Sequence, residues 1–164
     1  MSTVNVSPAA ARWLRIVAAA EAGPAVYLLI ASLGSAPLAG PLYASVFLYA
    51  FLASSIYFGV SLLKLRRSGV IGSIAIQVLQ LLLAENDFFT WRVQLAGFLG
   101  PALSGPVLGP NMHLGPLVLI RGSSDPEQIS IGVNVLAIGA IALLAHALGS
   151  GASNIPPLPE RSSA

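Results

Sequence analysis

The chain has 164 residues, of which 55% are hydrophobic and only 9% charged, with a net charge of +2 and a mean hydropathy of +0.82. A soluble domain carries roughly a quarter of its residues as charges, so lipid is expected to replace water over much of this surface. The basic residues form no stripe with aromatics, which excludes nucleic acid as a partner, and the absence of cysteine excludes disulfides, thiolate metal sites and cysteine nucleophiles.

A spanning helix needs about 20 mostly apolar residues. Residues 13–33 meet that length despite Glu21 and Pro24. Arg12 and Arg15 followed by an apolar run also resemble a secretory leader, with Gly34-Ser35-Ala36 as the cut. Glu21 and Pro24 interrupt that run and Pro37 would follow the cut, so a retained helix is expected. Residues 41–63 predict a second span, 69–84 a short third one, and 129–148 a fourth. The third would thin the bilayer locally or borrow flanking residues.

Between the last two lies a cap, residues 85–128. Its length and apolar content suggest a fifth crossing, but Gly-Pro recurs at 100–101, 105–106, 109–110 and 115–116. Each proline removes an N–H and clashes with the preceding helical turn, and unpaired backbone groups facing lipid cost several kcal/mol each. The cap is therefore expected outside the lipid. Phe89, Trp91, Val93 and Leu95 alternate with Thr90, Arg92 and Gln94, a period of two that predicts a strand. Its apolar face would cover the bundle, and Arg92 and Gln94 would meet water. Residues 117–121 predict a second strand, with a Gly-Pro-rich loop between the two. The cap has two readings, an amphipathic seal over the bundle or a docking surface for a partner or ligand, and for the second Trp91, Arg92 and His113 are the candidate residues. Asp125 before Pro126 fits the N-cap of the last helix. The tail, 149–164, reads as disordered and cytoplasmic, and its Pro156-x-x-Pro159 is a chance-level PxxP match.

Lys and Arg in short loops set orientation. Arg12, Arg15, Lys64, Arg66, Arg67 and Arg161 fall on one side of a four-span chain, which predicts both termini in the cytoplasm and an inner (plasma) membrane location.

Within the spans, Glu21 is the costly group, because a carboxylate at depth costs roughly 2.5 kcal/mol or more. Ser73, Gln77 and Gln80 share one face of the third span. Depth matching puts Ser54, Ser55 and Tyr57 of the second span at a similar level, with Ser54 or Tyr57 as the candidate, and adds Asn134 from the fourth. These candidates have two readings, hydrogen-bonded glue between helices or a proton- or ligand-binding site. Ala50-x-x-x-Ser54, and Gly132, Gly139, Ala142 and Ala145, are expected to pack helices internally, with a homodimer face as the alternative. His113 and His146 are expected on opposite sides of the membrane and share no metal. HExxH, P-loop and GxSxG motifs are absent, so no cofactor is expected.

SLLKLRRSGVIGSIAIQVLQLL (61–82) and IGVNVLAIGAIALL (131–144) resemble small bacterial membrane proteins with four helices, a basic loop between the second and third, and a glutamine in the third. That group has no agreed function, so the resemblance carries over no catalytic residue. Four short helices with a glutamate in the first also resemble the small multidrug-resistance transporters. This resemblance implies that Glu21 exchanges protons for a lipophilic cation. The long 85–128 stretch departs from their short loop.

The expectation is thus an all-α membrane protein: a four-helix transmembrane bundle with a small strand-bearing extracytoplasmic cap between helices three and four. Its function would be that of a non-enzymatic accessory or scaffold subunit holding a lipid-like ligand, with a proton-coupled transporter using Glu21 as the alternative. Its partners would be the lipid bilayer and either another membrane protein or a second copy of itself. A lipid-modifying enzyme using His113 is a third, remoter class.

Overall fold

A computed structural model describes residues 3–34, 42–85, 90–104, 106–121 and 130–152. The described residues form four helices and an antiparallel sheet inserted between the third and fourth. Helix α1 spans Pro8–Gly34, α2 Leu42–Leu63, α3 Arg67–Leu79 and α4 Val135–Ala152. Strands β1 Leu82–Glu85, β2 Thr90–Gln94, β3 Gly97–Ser104, β4 Val107–Leu114, β5 Leu117–Arg121 and β6 Ser130–Val133 pair in the order β4-β3-β6-β1-β2-β5.

The helix ends follow local chemistry. Ser7 caps α1, its hydroxyl accepting from the Ala10 N–H at 3.3 Å, with Pro8 at the first helical position. The α2–α3 turn closes through Leu65 at φ 50°, with Leu65 N–H to the Leu62 carbonyl at 2.8 Å and Arg66 N–H to that of Ser61 at 3.0 Å. The N-terminal segment is pinned to this turn, Val4 N–H donating to the Leu65 carbonyl at 2.8 Å.

Two helices, α1 and α2, are long and apolar enough to cross a membrane. The third and fourth apolar segments each divide into a helix and a strand. α3 stops at Leu79 and residues 82–85 form β1, while 130–133 form β6 and α4 begins only at Val135. The expected helices over 69–84 and 129–148 are corrected accordingly. Asp125 lies outside the described residues, and the N-cap of α4 is Asn134.

Both expected strands form, as β2 and β5, and they are paired partners in register from Thr90↔Arg121 to Gln94↔Leu117. Phe89 lies outside the described residues. The expected loop between them is instead the hairpin β3–β4. Helix-breaking prolines are tolerated there because Pro101 and Pro110 face each other across the pair. An antiparallel ladder leaves alternate opposed pairs without mutual hydrogen bonds, and two residues lacking N–H fit only such a pair.

Packing forms two apolar clusters. One joins Leu14 and Ala18 of α1 with Leu62, Val70, Leu144 and Ala147. The other joins Ala25 with Phe51, Leu52, Ile76 and, from the β2 end, Val93 and Leu95. Close helix approach is set by small residues. A Cβ on Gly59 would lie 2.8 Å from that of Ala22, and one on Gly72 would collide with the Phe58 ring. The expected internal seam of α4 is corrected, because Gly139, Ala142 and Ala145 are exposed and Gly132 sits in β6. Ala50 is exposed as well.

Candidate functional site

Glu21 lies in α1 between Ala18 of one cluster and Ala25 of the other. It is 1% exposed. On α3, Ser73 occupies the corresponding place between Val70 and Ile76 and is fully buried. The Ser73 hydroxyl lies beside the Glu21 carboxyl, yet neither carboxyl oxygen nor Ser73 Oγ makes a well-formed hydrogen bond. The bundle thus carries a polar layer between two apolar ones, and that layer is not self-satisfied.

Gln80 and Asn134 are equally buried, at 3% and 2%, but fully engaged. Gln80 Oε1 accepts from the Leu95 N–H at 2.8 Å. Asn134 Nδ2 donates to the Gly97 carbonyl at 3.0 Å and to that of Gln80 at 3.4 Å. Its Oδ1 accepts from Leu136 N–H at 3.1 Å, capping α4, and from Leu99 N–H at 3.4 Å. These two amides join the end of α3, the β2–β3 connection and the start of α4. The connection itself needs Gly97. Its φ is 143°, and a Cβ there would lie 2.5 Å from the His113 carbonyl oxygen.

Beside this junction lies a cleft of about 200 Å³. Ile16, Val17 and Ala20 of α1 form one wall and Leu136 and Ala137 of α4 another, with Gln77 and Gln80 between them. Gln77 is half-buried and makes no side-chain hydrogen bond to a described residue. The cleft combines apolar walls with a free amide, and its volume suits a short apolar group.

The expected cluster is therefore split in two. Glu21 pairs with Ser73, which helical spacing from Gln77 had placed on the right face. Gln77, Gln80 and Asn134 gather at the cleft. Tyr57 belongs to neither, being 56% exposed. Ser54 is half-buried, and it is Ser55, one position round the helix, that points into the core and spends its hydroxyl on the Phe51 carbonyl at 2.8 Å. Depth matching locates a residue along a helix but not around it, where each position turns by about 100°.

The cap candidates do not converge. Strands β3, β6 and β1 stand between β4, which carries the exposed His113, and β2, which carries Arg92. Trp91 belongs to β2, and its side chain lies outside the description. The water-facing role expected for Arg92 and Gln94 is corrected, because Arg92 is half-buried and Gln94 is 2% exposed. β2 is an inner strand covered on both faces, Val93 being buried as fully as Gln94. Thr90 Oγ1 and Gln94 Oε1 are buried there without hydrogen bonds, which alternation alone could not reveal. Among the described residues no group of three His, Cys, Asp or Glu could hold a metal.

The chain matches no protein family, and no curated protein or solved structure is similar to it. Any functional reading therefore rests on the residues themselves.

Proposed function

We propose that this is a multi-pass inner-membrane protein acting as a non-enzymatic accessory or scaffold subunit, with a lipid-like ligand held in the cleft beside Gln77. The observation that carries the membrane reading is the outward aspect of its apolar helices. Only 17% of the apolar stretch of α1 and 33% of that of α2 is buried within the protein. A core helix of a soluble protein would be mostly buried. Here Trp13, Tyr27, Ile30, Leu33 and Tyr57 are each more than half exposed, which is costly in water and favourable in lipid.

Four crossings are consistent with the lengths. α3 rises about 20 Å at 1.5 Å per residue, and β1 adds about 13 Å, together near the 30 Å hydrocarbon thickness. Strand backbone near lipid must be fully paired. The strands continuous with α3 and α4 are β1 and β6, the two central strands, each paired on both sides.

The absence of native cysteine allows a direct test. Ser68→Cys, in the basic turn region, should react with a membrane-permeant maleimide only. Asn111→Cys on β4 should also react with an impermeant one applied from outside. Labelling of both from the same side would refute the topology. Purification in mild detergent then tests the accessory role, which predicts co-elution with a larger membrane complex.

A second reading, a proton-coupled transporter, is favoured by one observation: the buried Glu21 carboxyl without a well-formed hydrogen bond. It requires that Glu21→Gln abolish proton-coupled uptake in vesicles.

A further inference from the structure

A groove of about 520 Å³ runs along α2, walled by Leu29 of α1 with Ile56, Tyr57 and Val60 and ending at Lys64 and Arg66. Its wall is apolar and uncovered, Tyr57 being 56% and Val60 41% exposed. Its end is cationic. Neither Lys64 nor Arg66 forms an ion pair with a described residue. Arg66 is nonetheless held in place, its N–H bonded to the Ser61 carbonyl at 3.0 Å and its backbone bridged to Thr3.

Length and charge together select the occupant. From Ala53 at one end of the groove to Lys64 at the other is eleven residues, about 16 Å of helix. Half of a 30 Å hydrocarbon core is about 15 Å. The groove thus matches one acyl chain in one leaflet, with two cations where that chain's phosphate would lie. A free phosphate would leave the apolar wall uncovered, and a neutral lipid would leave the cations unmatched.

We propose that this groove binds one anionic phospholipid of the leaflet on the side of the α2–α3 turn, its acyl chain against Ile56, Tyr57 and Val60 and its phosphate between Lys64 and Arg66. The inference rests on the membrane reading above and adds a second site, separate from the cleft beside Gln77, with its ligand's class and leaflet. Basic pockets at helix ends recognise anionic headgroups by this charge matching.

The test uses the full chain in nanodiscs of phosphatidylcholine with or without phosphatidylglycerol. Lipids retained after detergent release are counted by native mass spectrometry, alongside the thermal midpoint. Wild type should retain phosphatidylglycerol in preference to phosphatidylcholine. The K64Q/R66Q variant should bind it roughly tenfold to thirtyfold more weakly. Val60→Trp, which fills the groove and leaves the cations, should lose it too while folding normally. Arg12→Gln/Arg15→Gln removes two cations outside the groove and should change retention little. Equal retention of the two lipids by wild type overturns the proposal. So does a phosphatidylglycerol preference that survives K64Q/R66Q or Val60→Trp, or that falls as far with the Arg12/Arg15 variant. Stabilisation by inorganic phosphate alone, equal to that by the lipid, would show a free-anion site and also overturn it. If instead the chain is stripped from vesicles by alkaline carbonate, the membrane reading itself fails, an outcome separate from all of these.

Discussion

Two buried polar pairs, one at each of two levels of the helices, are built in opposite ways. Gln80 and Asn134 answer almost every polar atom with a backbone partner. Glu21 and Ser73, as deeply buried, leave both carboxylate oxygens and the hydroxyl without a well-formed hydrogen bond. Buried polar atoms are normally paired, and each exception costs roughly 1–3 kcal/mol. The first pair therefore belongs to the architecture, since it joins helices to sheet. The second costs stability and supplies no junction in return, the pattern expected of a group kept for binding.

The comparison predicts stability changes of opposite sign. Asn134→Leu should be the most damaging, because it removes the α4 cap and strands the Gly97 and Gln80 carbonyls and the Leu99 N–H. The expected loss is about 3–5 kcal/mol, read as a lowered unfolding midpoint in detergent or nanodiscs. Asn134→Asp keeps the acceptor and loses the donor, so it should cost visibly less than the leucine. Gln80→Met comes next, at about 1–3 kcal/mol, since only the buried Leu95 N–H loses its acceptor. An Asn134→Leu protein as stable as wild type would remove the distinction between the pairs.

Glu21→Leu should go the other way. Replacing an unsatisfied buried carboxyl with an apolar side chain is expected to leave stability unchanged or raise it by up to about 2 kcal/mol. The same variant should lose whatever binding or transport the site performs. A Glu21→Leu chain destabilised as much as Gln80→Met would mean that Glu21 is structural after all.

What the sequence disclosed and what it hid divide along physical lines. Length and hydropathy placed α1 and α2 within a few residues, because a long apolar run has few alternatives. Alternation placed β2, and Leu117–Arg121 emerged as its paired neighbour. The third and fourth apolar segments each divide into a helix and a strand, a change that hydropathy does not reveal because a paired inner strand and a helix can both be built from an unbroken apolar run. Residues 82–84, Leu-Leu-Ala, continue the apolar text of α3 without a break although the backbone has changed to β1. The β3–β4 hairpin was hidden by its prolines, which rule out a helix but leave a strand open wherever the missing N–H is not needed. At the site, the burial of Glu21 and the Ser73–Gln77–Gln80 face were legible from cost and spacing. That Gln80 and Asn134 spend their amides on Leu95, Gly97 and Leu99 was not, since those partners belong to the β2–β3 connection and β3, 15 to 37 residues away.

The smallest predicted effect is the most discriminating. If Glu21 and Ser73 were simply glue between α1 and α3, their mutual interaction would carry energy, and removing either partner would forfeit it. The absence of a well-formed bond argues that little energy is shared. Ser73→Ala should therefore change the unfolding midpoint by no more than about 0.5 kcal/mol. The double-mutant cycle with Glu21→Gln should give a coupling of similar size. A coupling above about 1 kcal/mol would restore the glue reading and take from Glu21 its claim to a separate role. A coupling near zero, together with lost uptake or binding in Glu21→Gln alone, would assign the carboxyl to function, because no structural interaction would then remain to account for its position in the core.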